Sequence, residues 1–190
     1  MGVIETLEKW DKQLFLFLNG SNNSFLDFLM PWISNKYVWI PLYALLLYWL
    51  IRTNQTKKMH ILISIGLLIL ISDQVASGFL KPTVERFRPC YDPEIKDQVH
   101  LLKYCGGRFG FASSHASNSF AIAIFCWLML RKHLKYIWLL LPWAAVIAYS
   151  RIYLGVHFPG DVIMGAIIGL GAAFLVKFIF DKIPELKLRA

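Results

Sequence analysis

The sequence predicts an all-α membrane protein, a polytopic bundle of about five transmembrane helices preceded by an interfacial helix. Apolar residues make up 57% of the 190 residues and charged residues only 17%, which is more apolar surface than a soluble domain of this size can bury. The apolar residues also group into runs approaching the roughly 20 residues that cross a hydrocarbon core. The length favours one domain over residues 1–190.

Residues 1–36 are predicted to form an amphipathic part at the membrane interface. Asp11 is the single polar residue in an apolar stripe at helical spacing, and the polar run 19–23 indicates the helix end. Residues 25–33 are apolar but too short to cross alone, and they fit an interfacial helix, a re-entrant segment or the start of a tilted span. The apolar members of the stripe are Ile4, Leu7, Leu14 and Leu18.

Five apolar runs are predicted to be the membrane spans. Three glycines in the last run, Gly165, Gly169 and Gly171, predict close helix packing. Asp73 lies inside the second run, where an acid is costly, and the sequence leaves its role open between catalysis and packing. The runs are Tyr37–Ile51, Met59–Leu80, His115–Leu130, Leu134–Tyr149 and Pro159–Phe180.

Basic residues in the short loops and the tail predict the orientation. Because two spans separate each basic group from the next, all three groups lie on one side, which the positive-inside rule makes cytoplasmic. Segment 81–114 and turn 151–158 then face outward. The net charge of +8 fits anionic lipid headgroups, and nucleic acid is not an expected partner. The groups are Arg52, Lys57 and Lys58; Arg131, Lys132 and Lys135; and Lys177, Lys182, Lys187 and Arg189.

The predicted outward side collects residues suited to binding a phosphate. Lys81, Arg88 and Arg151 are cations at or near the ends of separate spans, and arginine can hold two phosphate oxygens at once. Ser113 offers a hydroxyl donor, and the helix that begins near Ser114 offers free backbone N–H groups. Basic residues at span ends also serve as membrane anchors, so the combined pattern supports the site more than any single residue.

Two histidines and a carboxylate on the same side supply the chemistry. His157 is the candidate nucleophile and His115 the candidate acid. Asp161 follows His157 by one helical turn, next to Pro159 at a predicted helix start. This spacing lets the carboxylate accept the imidazole N–H and direct the other nitrogen toward the substrate.

Two of the three cysteines lie in the outward segment. In an oxidising compartment Cys90 and Cys105 can form a disulfide, and the alternative is two free thiols. Cys126 lies within a span and is interpreted as a packing residue.

Three segments resemble, in order, the motifs of the type 2 phosphatidic acid phosphatase (PAP2) superfamily. Residues 81–89 resemble Lys-x6-Arg-Pro, residues 112–115 resemble Pro-Ser-Gly-His, and residues 150–161 match Ser-Arg-x5-His-x3-Asp without a gap. The second segment departs from the pattern because Ala112 replaces proline and Ser114 replaces glycine. Glycine lets the backbone approach an oxyanion closely, so Ser114 is the more consequential change.

The resemblance implies a metal-independent phosphatase that uses no cofactor and forms a phosphohistidine. His157 would attack phosphorus, Asp161 would orient it, and His115 would protonate the leaving oxygen and then activate water. The residues that would bind the phosphate are Lys81, Arg88, Ser113, Ser114 and Arg151.

The small size resembles bacterial members of the superfamily, which implies the bacterial inner membrane with the active site facing the periplasm. The implied substrates are undecaprenyl pyrophosphate, phosphatidylglycerol phosphate and lipid A, and residues 105–111 resemble the lipid A phosphatase and undecaprenyl diphosphatase branch. A transporter or flippase that binds lipid phosphate without cleaving it is the alternative, although mere binding needs no oriented nucleophile. A vanadate-dependent haloperoxidase shares the same three motifs and is a further alternative, but such a protein would be a larger, soluble chain. The oligomeric state stays open.

Overall fold

The computed structural model describes residues 2–102 and 104–184, so Lys187 and Arg189 of the predicted cytoplasmic tail lie outside the described residues. Over the described ranges the fold is all-α, as predicted, and extended pairing is limited to one isolated bridge between Phe87 and Phe109. The helices are α1 Val3–Gly20, α2 Ser24–Ile33, α3 Ile40–Thr53, α4 Lys58–Asp73, α5 Lys81–Val84, α6 Ser114–Leu130, α7 Leu140–Tyr153 and α8 Pro159–Lys182.

Helix α1 ends at Gly20, within the predicted turn, and most of its apolar stripe faces away from the rest of the chain, whereas Leu18 packs against the core. Ile4 and Leu7 are 74% and 55% exposed, whereas Phe15 is completely buried. Asp11, the polar member of the stripe, turns inward. A helix with an outward apolar face fits contact with lipid, while its inward polar face anchors it to the protein.

The apolar segment 25–33 forms a separate ten-residue helix, α2. The side chain of Asn23 caps its first turn by accepting a hydrogen bond from the backbone N–H of Leu26 at 3.0 Å. A 3₁₀ turn, Lys36–Trp39, then leads into α3. Residues 24–53 are therefore two helices with a break between them.

Each predicted span corresponds to a helix, with shifted boundaries. A seven-residue π-helix, Gln74–Leu80, joins α4 to α5 in a helical stretch of 30 residues, Gln55–Val84. Among the described residues, this stretch and α8 are the two helices long and apolar enough to cross a membrane. The fourth predicted span shifts toward the C-terminus, because turns occupy residues 131–133 and regular helix begins only at Leu140.

Helix α6 lies at the centre of the bundle, in contact with α3, α4, α7 and α8. Two glycines of α8 allow its close approach. A Cβ atom at Gly165 would lie 2.4 Å from the backbone oxygen of Ser113, and one at Gly169 would lie 2.3 Å from that of Ser117. Gly171 has no such neighbour within 4 Å, so its predicted packing role is wrong.

Replacing Gly169 with alanine is expected to destabilise the fold, because the added methyl group meets a backbone atom that cannot rotate away. Overpacking of this kind typically costs about 1–3 kcal/mol. Thermal unfolding in one detergent measures the loss. Gly171→Ala is the matched control, two residues along the same helix in open space, and equal stability of the two variants would contradict the packing argument.

Candidate active site

The residues of the three motifs meet at one end of the bundle. Lys81 begins α5, Ser114 begins α6, Arg151 lies in the last turn of α7, and Asp161 lies in the first turn of α8. His157 lies in the short connection between α7 and α8. Three distant parts of the chain therefore supply one site through their helix ends.

The orientation of His157 is set on both sides of its ring. Its Nδ1 lies 3.4 Å from Oδ2 of Asp161, and its Nε2 lies 3.2 Å from Nη1 of Arg88. A guanidinium can only donate hydrogen bonds, so Nε2 accepts and we assign the ring proton to Nδ1. The imidazole is neutral, and its Nε2 lone pair points toward the cations.

The surroundings of His157 keep it neutral. The residue is 2% exposed, and this burial lowers its pKa well below the ordinary value. The positive charges of Arg88, Arg151 and Lys81 lower the pKa further. A neutral imidazole is the form that can act as a nucleophile near pH 7.

Arg88 and Lys81 are held by neighbouring oxygens. Arg88 Nη1 donates to the backbone oxygen of Val156 at 3.1 Å. Lys81 Nζ lies 3.0 Å from Oγ of Ser77 and 3.5 Å from Oγ of Ser114. The hydroxyl of Ser114, where the family pattern has glycine, thus contacts one of the three cations of the site.

Several donors of the site lack a protein partner. Arg151 is buried and donates from Nη1 to Oγ of Ser34. Over the described residues, Nε of Arg151, Nε of Arg88 and Oγ of Ser113 are buried and form no hydrogen bond. Because a buried donor without a partner costs about 1–3 kcal/mol, such a group is unusual unless it serves a ligand. These three atoms are suited to the oxygens of an anion.

Asp161 is completely buried and makes more contacts than the sequence predicted. It accepts hydrogen bonds from the backbone N–H of Phe158 at 3.0 Å and from Arg86 Nη1 at 3.0 Å. Arg86 in turn binds Asp11 of α1, with Nη2 2.7 Å from Oδ2. The sequence reasoning missed Arg86 and Asp11, although a lone acid within an apolar stripe was a signal for the latter.

His115 lies in the first turn of α6, at the same end of the bundle. It lines a cavity of about 200 Å³ together with Ser34, Asp73 and Ser114. Asp73 also accepts a hydrogen bond from the side chain of Asn118 at 3.4 Å. Asp73, the acid within the predicted span, therefore lines the same cavity as His115.

The connecting segment 85–113 is braced next to Arg88. Cys90 and Cys105 are joined by a disulfide, with their Cα atoms 6.4 Å apart. The backbone N–H of Arg88 donates to the oxygen of Arg108 at 3.1 Å. Cys126 is a buried free thiol in α6. The cross-link and the backbone bond hold the two arms of the segment together where Arg88 enters the site.

Comparison with known proteins identifies the family of this arrangement. Residues 58–184 match the sequence profile of the PAP2 superfamily. The chain is 42% identical over 185 residues to the lipid A 4'-phosphatase of Bacteroides thetaiotaomicron, covering 95% of this chain and 81% of that protein. It is 31% identical over 167 residues to the undecaprenyl-diphosphatase of Sulfolobus acidocaldarius, covering 86% and 75%.

A solved structure has the same fold. The crystal structure of a transmembrane PAP2 type phosphatidylglycerolphosphate phosphatase from Bacillus subtilis superposes with a TM-score of 0.71, covering 97% of this chain and 90% of that chain at 24% identity. The sequence relatives and the fold agree with the three motifs at residues 81–89, 112–115 and 150–161. The chain belongs to the PAP2 superfamily.

Proposed function

We propose that the protein is an integral membrane phosphatase that hydrolyses a phosphate group of a lipid through a phosphohistidine on His157. The neutral Nε2 of His157 faces Arg88, inside a cluster whose buried donors include Nε of Arg88, Nε of Arg151 and Oγ of Ser113 without protein partners. A phosphate beside His157 satisfies these donors and meets the nucleophile at the same time.

The first half of the reaction forms the phosphohistidine. Nε2 of His157 attacks phosphorus while the bond to the leaving oxygen breaks, and His115 gives that oxygen a proton. Arg88 transfers its hydrogen bond from Nε2 to a phosphate oxygen. The carboxylate of Asp161 keeps the proton on Nδ1 of His157 by accepting its hydrogen bond, and its negative charge offsets the positive charge that develops on the ring.

The second half releases inorganic phosphate. His115, now lacking its proton, takes one from a water molecule, and the resulting hydroxide attacks phosphorus. The P–N bond breaks, the electron pair returns to Nε2, and His157 is again neutral. The cations stabilise the charged oxygens in both steps, so one set of residues serves both halves.

We place this single domain across a bacterial inner membrane with about five spans and the site facing the periplasm. The basic groups at residues 52–58 and 131–135 support this orientation, because they lie in the α3–α4 and α6–α7 connections, at the helix ends opposite those that carry the site. The outward apolar face of α1 supports contact with the membrane surface.

The substrate's apolar tail has a place beside the site. An apolar cavity of about 520 Å³ opens between α3, α4 and α6. It shares Lys36, Tyr43, Asn118 and Ile122 with the cavity that His115 lines. A tail in the larger cavity therefore brings its headgroup next to the catalytic residues.

Among lipids we propose a phosphate of lipid A as the substrate, supported by the 42% identical relative named lipid A 4'-phosphatase. Undecaprenyl diphosphate is the second candidate, supported by the 31% identical relative named undecaprenyl-diphosphatase. Phosphatidylglycerol phosphate is the third substrate to test.

Phosphate release by the purified protein tests the proposal. We expect turnover of lipid A in detergent with EDTA present, and slower turnover of undecaprenyl diphosphate and phosphatidylglycerol phosphate. Binding of these lipids without phosphate release would favour a transporter instead. Activity that EDTA removes and added metal restores would contradict the metal-independent chemistry.

A further inference from the structure

A second ion network lies on the Nδ1 side of the His157 ring, opposite Arg88. Arg86 bridges two carboxylates, with Nη1 3.0 Å from Oδ1 of Asp161 and Nη2 2.7 Å from Oδ2 of Asp11. We infer that Arg86 and Asp11 are positioning residues for catalysis, which hold Asp161 charged and fixed so that His157 keeps its proton on Nδ1. This inference rests on the proposed function.

The acceptor oxygens of Asp161 show why Arg86 matters. Oδ2 faces the Nδ1 of His157 and accepts from the backbone N–H of Phe158, so Oδ1 is left for Arg86. The Asp161 side chain is 0% exposed, and a buried carboxylate stays ionised only when it is paired and hydrogen-bonded. Arg86 supplies that charge and fixes the carboxylate plane at once.

Arg86 is itself held rigidly. Its guanidinium lies 4.3 Å from the centroid of the Phe158 ring, which restricts rotation of the planar group. Asp11 holds the other end of the guanidinium and also accepts a hydrogen bond from the backbone N–H of Gly160 at 2.8 Å. Phe15, one turn after Asp11, packs edge-on against Phe158. Helix α1 thereby clamps the start of α8, which carries Asp161.

Arg86 differs from the phosphate-binding cations in where its charge is used. Arg88 and Arg151 each keep a buried Nε without a protein partner, whereas both terminal nitrogens of Arg86 are bound to carboxylates. The charge of Arg86 is therefore neutralised by carboxylates of the protein and is not available to the phosphate of the substrate. We expect its loss to affect kcat much more than KM.

The test measures kcat, KM and the pH profile of purified Arg86→Gln and Asp11→Asn on the lipid that the wild type turns over. Arg86 acts on His157 only through Asp161, and outer partners of this kind are typically worth about 10- to 100-fold, so we expect kcat of Arg86→Gln to fall by about that factor with little change in KM. Asp11→Asn should show a smaller loss, because Arg86 still reaches Asp161. Arg86→Lys should recover part of the activity, since it restores the charge without the two-pronged geometry.

The pH profile separates positioning from a purely structural role. Removing the positive charge of Arg86 leaves the negative charge of Asp161 less compensated. An imidazole beside a less compensated carboxylate is easier to protonate. The acidic limb of kcat/KM should therefore move to higher pH in Arg86→Gln. A variant that was only less stable would keep the wild-type limb.

Two control variants make the same kind of charge-removing substitution at residues outside the ion network of Arg86, Asp11 and Asp161. Arg108→Gln removes an exposed arginine from the same segment, where it stacks on Phe87, and Glu8→Gln removes an exposed acid from α1. Both should keep wild-type kcat. If Arg86→Gln fails to fold, the nearly isosteric Asp11→Asn provides the test instead. A wild-type kcat and a wild-type pH profile in Asp11→Asn would then overturn the inference.

The outcomes also separate this inference from the proposed function. An active wild type with unchanged kcat in Arg86→Gln would overturn the positioning role alone. A folded wild type that releases no phosphate from any of the three lipids would overturn both.

Discussion

Replacing His157 with glutamine is expected to abolish phosphate release, with a fall in kcat of about 10⁴-fold or more. Glutamine occupies a similar volume and can still accept a hydrogen bond from Arg88, so the buried pocket around residue 157 remains filled. Its amide cannot form a phosphohistidine. Initial rates of phosphate release at saturating lipid measure the effect.

The matched control is His133→Gln, which changes an exposed histidine in the turn after α6, at the other end of the bundle. It should retain wild-type activity. Brief reaction with ³²P-labelled lipid adds a chemical readout, because a phosphohistidine is labile to acid and stable to alkali. Wild-type protein should carry this label and His157→Gln should not. Turnover of His157→Gln near the wild-type rate, or acid-labile labelling above that of a no-enzyme control, would remove His157 from the role of nucleophile.

The sequence predicted the fold class because the bilayer leaves few alternatives. Apolar runs of near-spanning length must become helices, and alternation across the membrane fixes which helix ends share a side. Lys81, Ser114, Arg151 and Asp161 all flank such runs, so their convergence could be predicted without coordinates. The helix boundaries could not be predicted as closely, since α7, which carries Arg151, begins only after several residues of turn and 3₁₀ structure.

Contacts made by residues outside the motifs could not be predicted in the same way. Ser34 binds Arg151 from the break between α2 and α3, and nothing in the spacing of the chain relates these two positions. Packing detail was also beyond reach. Gly165, Gly169 and Gly171 look alike in sequence, but which face of α8 meets α6 is decided by neighbouring helices, and Gly171 lies on the other face.

Helix α1 shows how the solvent changes the meaning of a pattern. In a water-soluble protein an apolar stripe faces the core, and a polar residue within it is a defect. Here much of the stripe faces outward, and Asp11 turns toward Arg86. A lone acid in an apolar stripe that faces outward is therefore better interpreted as an anchor to the protein.

Replacing Asp161 with asparagine should lower kcat by about 10³- to 10⁴-fold while KM changes little, because loss of the carboxylate in comparable nucleophile–histidine–aspartate systems leaves the imidazole in the wrong tautomer. An asparagine has only one acceptor oxygen. If that oxygen stays with His157 and Phe158, the amide N–H₂ meets the donating nitrogen of Arg86; if the amide turns round, it meets the Nδ1–H of His157. Either arrangement sets donor against donor.

The second arrangement drives the ring proton onto Nε2, where it opposes Arg88 and removes the lone pair that attacks phosphorus. Asp181→Asn is the matched control, an exposed acid in the last turn of the same helix that pairs with Lys177, and it should keep wild-type rates. Loss of activity in Asp161→Asn with unchanged thermal stability and unchanged lipid affinity would assign the carboxylate to orienting the nucleophile. A wild-type kcat would contradict this role, and would mean that Arg88 and the backbone of Gly110 are sufficient to fix the tautomer of His157.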